Sequence, residues 1–264
     1  MKEFLIVLSF LALPVMTLYS QEIDAKPSDN WKSYIHLESG FMYPSGTVKE
    51  TIAIRQNISS YFVNQSSDGQ IYSETSGFML SASWEYFNKI YKSGISAGLR
   101  YTGFRSEISG FSSNNADFFY LRYSMLNSDT KFTRVKSITE ANNFVSIPIE
   151  LRVIPIQNRY FSLFAKGGAE FSMLNLNQKT HINFQNTDMN IYEDDILNNI
   201  SSTTNKFYST LYSSLGIIVG NERKVNYLFE IFLPSFFLTE NNFSLVDLDH
   251  FQGFKFSLQF PLHN

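Results

Sequence analysis

Apolar side chains occupy every second position in the segment SIPIELRVIPI and its immediate flank. Val145, Ile147, Ile149, Leu151 and Val153 alternate with serine, proline, glutamate and arginine. Because successive side chains of a β-strand point to opposite faces, this period of two predicts a strand with one apolar and one polar face. The remaining strands of the chain decide which of these faces meets water.

Seven further segments repeat the alternation, which gives eight predicted strands. The seven are Ser33–Tyr43, Gly77–Phe87, Ser93–Phe104, Tyr160–Met173, Phe207–Gly220, Val225–Pro234 and Phe254–Leu262. Their connections are alternately long (44–76, 105–143, 174–206, 235–253) and tight (near Asn88, at 157–158, at 221–224). No stretch after residue 20 reaches the roughly 18 apolar residues of a helical span. The pattern predicts an all-β fold, a closed antiparallel up-and-down transmembrane barrel with short turns at the periplasm.

One aromatic segment leaves a ten-stranded barrel open. ADFFYLRYSML (Ala116–Leu126) and the following KFTRVKSI also have strand character. In the second of these, Lys131 and Lys136 fall on opposite faces, so neither face suits lipid. We therefore predict a hairpin that extends above the membrane from the second external loop, and eight membrane strands.

A soluble lipocalin-like barrel has the same strand number but the reverse partition, with apolar residues inside. The charged residues between the aliphatic positions favour the membrane barrel. They are Glu38, Glu85, Arg100, Glu150, Arg152, Lys166, Glu170, Glu230 and Lys255. Five acids and four bases nearly balance, as they must where charges pair inside a narrow lumen. We expect these nine residues to form a lumen network that largely plugs the barrel.

Aromatic residues are unusually abundant, with 26 Phe and 15 Tyr, although the mean hydropathy is only −0.14. That combination is typical of alternating strands rather than of apolar helices. Five aromatics fall near the tight-turn ends of the strands and predict a periplasmic girdle at the membrane interface. They are Trp84, Tyr86, Phe161, Tyr227 and Phe260.

The N-terminus predicts export from the cytoplasm. Met1 and Lys2 precede the apolar run FLIVLSFLALPVM, and a cleavage point follows between Ser20 and Gln21. We interpret 1–20 as a secretory signal peptide, 21–32 as a short periplasmic segment and 33–264 as the barrel domain. With no cysteine, the chain has no lipoprotein acylation site and no disulfide framework. The predicted location is the outer membrane of a Gram-negative bacterium.

The sequence offers little catalytic chemistry. His36 lies on the predicted inner face two residues from Glu38, which is the one pair placed for proton transfer, although an interior hydrogen-bond network is the commoner role. His181, His250 and His263 have no spacing that forms a dyad, and the acidic YEDDI (Tyr192–Ile196) lacks the pattern of a calcium loop. We therefore expect no enzyme activity, no metal and no cofactor.

Proline in a closed barrel requires a local explanation. Pro148 lies within the fourth predicted strand and has no N–H to donate to a neighbour. Because a closed barrel has no edge strand, the sequence predicts a β-bulge at Pro148, with one ladder hydrogen bond missing.

The run NNFVSIPIELRVIPIQNRYFSLFAKGGAEFSMLN resembles the PorT-like outer-membrane β-barrel family of Gram-negative bacteria. The matching residues are IPIEL at 147–151 and GGAEF at 167–171, and GFMYPSG (40–46) and GLRYTG (98–103) fit the same style. The resemblance covers 31–264, with a departure at 149–152, where the family is more uniformly apolar. It implies the barrel fold and a link to protein secretion across the outer membrane, and it supplies no catalytic residues.

These observations predict a non-enzymatic scaffold or a component of the secretion or envelope machinery. A narrow pore for small solutes and an outer-membrane lipid- or peptide-modifying enzyme are the alternatives. The expected partners are outer-membrane lipid, the barrel-assembly machinery during biogenesis, and an envelope protein that contacts the long, aromatic-dotted external loops. Nucleic acid is excluded as a partner, because the net charge is −3 and no basic run occurs.

Overall fold

The computed structural model describes residues 30–49, 54–55, 70–111, 118–123, 131–158, 161–200, 205–220, 224–239 and 243–262. The predicted signal peptide, most of the segment 21–32, and His263 lie outside these residues. The strands are β1 (Trp31–Val48), β2 (Ile54–Arg55), β3 (Gln70–Asn88), β4 (Ser93–Phe111), β5 (Phe119–Tyr123), β6 (Lys131–Gln157), β7 (Phe161–Phe184), β8 (Phe207–Val219), β9 (Asn226–Phe237) and β10 (Val246–Leu262). A 3-10 turn (Thr187–Tyr192) leads into helix α1 (Glu193–Ile200). Among the described residues, no helix has the length and apolar character needed to cross a membrane.

Eight strands form a hydrogen-bonded ring. Around the ring the order is β1, β3, β4, β6, β7, β8, β9 and β10, and β10 pairs back with β1. Every neighbouring pair is antiparallel. The all-β, eight-stranded fold predicted from the alternation is therefore confirmed, because each strand finds two partners and the ring leaves none of them as an edge.

The ring strands differ greatly in length. β6 and β7 contain 27 and 24 residues, whereas β8 and β9 contain 13 and 12. Tight turns such as 89–92 join strands at one end, here called the turn end, so the surplus length projects from the opposite, loop end. The projecting parts form a loop-end wall, defined by residues 70–76, 105–111, 131–144 and 178–184 of β3, β4, β6 and β7.

The aromatic segment that left ten strands open is a hairpin on this wall. β5 pairs with the first residues of β6, from Phe119↔Val135 to Tyr123↔Lys131, and β2 pairs with β5. β5 thus continues the sheet where β4 ends, beyond the level of the ring. The prediction of a hairpin outside the eight-stranded ring is confirmed.

The predicted bulge at Pro148 is wrong. On one side, Pro148 pairs with Glu170 of β7 and the register is continuous. On the other side, Gly98 and Leu99 of β4 have no β6 partner, but the register of the β4–β6 pair is the same before and after this gap. The strand accommodates the missing N–H by leaving a gap in the ladder toward β4, without an extra residue. Register shifts in the β6–β7 pair occur elsewhere, and the one between Val153 and Ile156 spans Pro155.

Candidate functional site

A layer of buried charge fills the middle of the ring. The structure places all nine sequence-predicted lumen residues on the inner face, each between 1 and 5% exposed: Glu38, Glu85, Arg100, Glu150, Arg152, Lys166, Glu170, Glu230 and Lys255. They come from seven of the eight ring strands. The charges therefore connect strands that are not neighbours in the ring.

Glu150 is the hub of the layer. Its carboxylate accepts hydrogen bonds from Arg100 (3.0 Å), Lys166 (3.1 Å) and Lys255 (3.3 Å). The hydroxyl of Tyr212 donates a further bond of 2.7 Å to it. Gly168 makes room for this tyrosine, since a Cβ there would lie 2.8 Å from its ring. Three cations around one carboxylate compensate the cost of burying it.

Two further carboxylates complete the coordination of Lys255. Its ammonium lies 3.3 Å from Glu38 and 3.4 Å from Glu230, and the side chain is completely inaccessible to solvent. Lys166 also reaches Glu230, at 3.1 Å. Each cation thus serves several acids, so the layer is one connected network and not a set of separate pairs.

A second cluster lies nearer the turn end. Arg152 donates to Glu85 at 2.7 Å, and His36 Nε2 lies 2.8 Å from the same carboxylate. The guanidinium of Arg152 lies over the rings of Phe87 and Phe164, 5.3 and 5.8 Å from their centroids. The sequence had paired His36 with Glu38, but the structure joins it to Glu85 on the adjacent strand. His36 pairs directly with Ser83, so Glu85 is its diagonal neighbour, within reach of long side chains.

Apolar layers close the lumen on both sides of the charges. At the turn end the layer consists of Tyr34, Phe87, Ile154, Phe164, Ile218 and Leu228, all buried. At the loop end a larger cluster includes Phe104, Phe144, Tyr208, Phe232 and Phe251, whose rings meet mostly edge to face. Apolar layers on either side separate the network from bulk water, which strengthens its ion pairs and raises the cost of an unpaired member.

The connection between β9 and β10 enters the loop-end cluster as a plug. Phe243, Ser244 and Leu245 are each 1% exposed. Glu140 of the loop-end wall accepts hydrogen bonds from the backbone N–H groups of Ser244 (2.8 Å) and Leu245 (3.1 Å), and Lys49 donates to the carbonyl of Phe243. This segment, residues 243–245, is called the plug below.

The outer faces of the ring strands form an apolar band. Ile147, Ile149 and Leu151 of β6 are 51, 43 and 56% exposed, whereas Glu150 and Arg152 between them are buried. On β7 the outward apolar side chains run from Phe161 to Met173. At a rise of about 3.3 Å per residue and a tilt of about 40°, this length spans roughly 30 Å, the thickness of a bilayer core.

Aromatic side chains surround the turn end of the band. Trp84, Tyr86, Phe161 and Tyr227 are exposed on the outer face and Phe260 is half-buried there. Trp31, which the sequence had assigned to the segment before the barrel, stacks on Tyr86 with ring centroids 4.4 Å apart. Such rings suit the boundary between hydrocarbon and headgroups.

The band predicts a depth-dependent response to charge. Ile149→Arg should lower the free energy of unfolding in lipid vesicles by about 2–4 kcal/mol, because the guanidinium would lie near the bilayer midplane. Thr139→Arg, outward on the same strand but on the loop-end wall, should cost about 0–1 kcal/mol. Urea titration followed by tryptophan fluorescence measures both, and equal losses would contradict the position of the band.

The remaining histidines and acids lie apart from the lumen. His181 and Glu193 form an exposed contact of 2.8 Å beside helix α1, and His250 is exposed on β10. Within the described ranges, no group of three or more His, Cys, Asp or Glu side chains is arranged to hold a metal ion.

Sequence reasoning missed the plug, its anchor Glu140, and Tyr212. The alternation continues through ITEANNF, so Ile138, Glu140, Asn142 and Phe144 share the inner face with Ser146. The alternation identifies Glu140 as an inward side chain, but it does not identify the partner. That partner is the plug, which lies about 100 residues further along the chain, where Ser244 donates to Glu140.

No family model matches the chain, and no curated protein matches it. Several solved outer-membrane proteins are similar in structure. The outer membrane protein OprG from Pseudomonas aeruginosa is 10% identical over 89% of this chain and 98% of its own, with a TM-score of 0.45. The transport unit of the autotransporter AIDA-I from Escherichia coli is 7% identical over 94% and 96%, and a Pseudomonas aeruginosa FadL homologue is 7% identical over 89% and 91%, with TM-scores of 0.25 and 0.22. These distant likenesses carry no inference about function, and the resemblance to PorT-like proteins stays a prediction.

Proposed function

We propose that this chain is an integral outer-membrane barrel with a sealed lumen, a non-enzymatic scaffold that acts through its loop-end surface. The observation that carries the proposal is the filling of the ring by three layers, which are apolar, charged and apolar again. A lumen of eight strands is just wide enough to be filled by side chains, and here it is filled by paired charges and rings.

The apolar band supports the membrane location. A ring leaves no unpaired strand edge in contact with lipid, and the outward side chains turn polar where the wall projects beyond the band, as at Arg105, Thr139 and Lys179. The predicted signal peptide, which lies outside the described residues, would direct export of the chain, and the barrel-assembly machinery would then insert it into the outer membrane.

The loop-end wall is the surface that we propose for contact with an envelope partner. On its outer side the guanidinium of Arg134 lies over the rings of Phe118 and Tyr120, 4.9 and 5.7 Å from their centroids, and Phe132 is exposed beside them. Aromatic and arginine side chains are enriched where proteins bind one another. A role in protein secretion, implied by the resemblance to PorT-like proteins, is compatible with this surface.

A non-enzymatic role is supported by the position of His36. His36 is 2% exposed, lies within the charged cluster, and its imidazole is hydrogen-bonded to Glu85. The apolar layers lie on both sides of this cluster and separate it from the two ends of the lumen.

Planar-bilayer recording tests the sealed lumen. We expect the purified full-length protein to insert without producing conductance steps, because the layers leave no continuous water path across the ring. A porin reconstituted in the same bilayers is the positive control, and a heat-modifiable gel shift verifies that the inserted protein is folded. Reproducible steps from folded protein would overturn the sealed-lumen proposal in favour of the narrow pore.

A further inference from the structure

Two basic side chains lie in one row of the sheet, directly above the apolar band. The β-ladder aligns Ser76, Arg105, Ala141 and Lys179 on β3, β4, β6 and β7. Arg105 and Lys179 are exposed on the outer face. Because neighbouring strands are about 4.8 Å apart, the Cα atoms of the two basic residues are roughly 10 Å apart, with the small Ala141 between them. The three residues form a shelf, called the basic shelf below.

The inner contacts of the wall hold both cations outward. Gln178 points inward and donates to Glu140 at 3.0 Å, which directs the next residue, Lys179, to the outside. Ser106 likewise points inward and bonds Thr75 at 2.8 Å, next to the outward Arg105. Among the described residues, neither the guanidinium of Arg105 nor the ammonium of Lys179 has a hydrogen-bond or ion-pair partner.

Below the shelf, the outer wall contains a polar step and then an apolar groove. The hydroxyl of Tyr101 donates to Asn143 Oδ1 at 2.7 Å, which leaves the amide nitrogen of Asn143 as a donor at the foot of the shelf. The groove lies deeper in the band and has a volume of about 540 Å³. It begins at Leu99, Tyr101 and Val145 on β4 and β6, and it extends across β3 and β1 to Phe256 and Leu258 of β10. Along β4 and β6, cationic, hydrogen-bonding and apolar surfaces therefore follow one another from the shelf to the near edge of the groove.

The acidic residues of this wall lie on the far side of the shelf from the membrane. Glu74 and Glu107 face each other one row higher, two residues beyond Ser76 and Arg105. The basic row thus borders the apolar band, and the acidic row borders water. An anion in the headgroup region meets the cations first, as electrostatic complementarity requires.

We propose that the basic shelf binds the phosphate of a phosphorylated outer-leaflet lipid, with an acyl chain of that lipid in the groove below. The inference rests on the membrane location proposed above. Arg105 and Lys179 approach the phosphate from either side over Ala141, and the Asn143 amide donates from below. A membrane lipid is the occupant, because the groove that begins below Arg105, at Tyr101 and Leu99, lies in the apolar band, where a soluble phosphate has no access.

Lipid retention measured on the full-length protein tests the site. The protein is reconstituted in phosphatidylcholine vesicles that contain a small fraction of lipid A bearing its phosphates or of dephosphorylated lipid A, extracted in mild detergent, and analysed by native mass spectrometry. We expect wild type to retain the phosphorylated form selectively. The double variant Arg105→Gln/Lys179→Gln should bind it about 30-fold more weakly, from the loss of two basic contacts at an anionic membrane surface.

The matched control is Lys136→Gln/Lys206→Gln, which removes the same charge from two other exposed lysines and should retain lipid as wild type does. Equal retention by wild type and the Arg105/Lys179 variant would overturn the site, as would equal loss in the control. Displacement by millimolar inorganic phosphate would overturn the lipid as occupant. Flotation with pure phosphatidylcholine vesicles reports membrane insertion separately, so a failure of the membrane location is distinguishable from a failure of the shelf.

Discussion

Replacing Lys255 with methionine should cost about 3–5 kcal/mol of unfolding free energy, the expected loss when one partner of a buried ion network is removed. Methionine matches the length of lysine but leaves Glu38, Glu150 and Glu230 without the ammonium that lies 3.3 to 3.4 Å from each of them. Urea titration in lipid vesicles measures the change, since Trp31 and Trp84 lie on the outer face and report the loss of the barrel.

Two further variants decide whether the charge is responsible. Lys206→Met changes an exposed lysine and should leave stability within about 0.5 kcal/mol of wild type. Lys255→Met/Glu38→Gln removes one base with one of its acids, and the double loss should fall short of the summed single losses by about 1–3 kcal/mol. Additive losses, or a Lys255→Met barrel as stable as wild type, would show that the charges do not act as one network.

Replacing Glu140 with glutamine should release the plug while the ring stays folded. One carboxylate oxygen accepts from the N–H of Ser244 and the other from the N–H of Leu245. A glutamine amide has only one oxygen, so its NH2 group would face one of these donors and that hydrogen bond would be lost. A hydrogen bond to a charged group is worth about 1.5–3 kcal/mol, which corresponds to amide exchange of the plug that is about 10- to 100-fold faster. Hydrogen exchange of peptides that span 238–250 measures the effect.

Glu74→Gln is the matched control, because this carboxylate is exposed on the outer face of the same wall. It should leave exchange of the plug unchanged. Slow exchange in Glu140→Gln would mean that the apolar contacts of Phe243 and Leu245 hold the plug alone. A Glu140→Gln protein whose gel mobility no longer changes on heating would be unfolded before heating. That result would mean that Glu140 supports the whole ring and does not anchor the plug specifically.

The alternation of side chains was enough to predict the ring. A period of two assigns each residue to one face, and eight such segments with alternately long and short connections have few arrangements other than an antiparallel barrel. The same reasoning found the hairpin of β5, because Lys131 and Lys136 on opposite faces exclude a lipid-facing strand. The prediction of a bulge at Pro148 failed, because the missing N–H is accommodated by a gap in the pairing with Gly98 and Leu99 of β4. Such a gap depends on both strands and cannot be read from the sequence of one of them.

Periodicity also assigns a side chain to the inside without naming its partners. Glu38 and His36 share a face of β1, yet His36 bonds Glu85 of β3, and Glu38 lies against Lys255 of β10. Contacts across the lumen depend on register and on ring closure, which bring residues more than 200 positions apart to within hydrogen-bond distance, as between Glu38 and Lys255.

The sequence by itself determined the fold, the apolar exterior and the identity of the charges inside, because each follows from the local period of a strand. Only the tertiary structure decided that those charges form one network around Glu150, that apolar layers close the lumen on both sides, and that residues 243–245 enter it. It also placed Arg105 and Lys179 on either side of Ala141. These features arise from the unequal lengths and the pairing register of strands distant in sequence, and no local pattern encodes them.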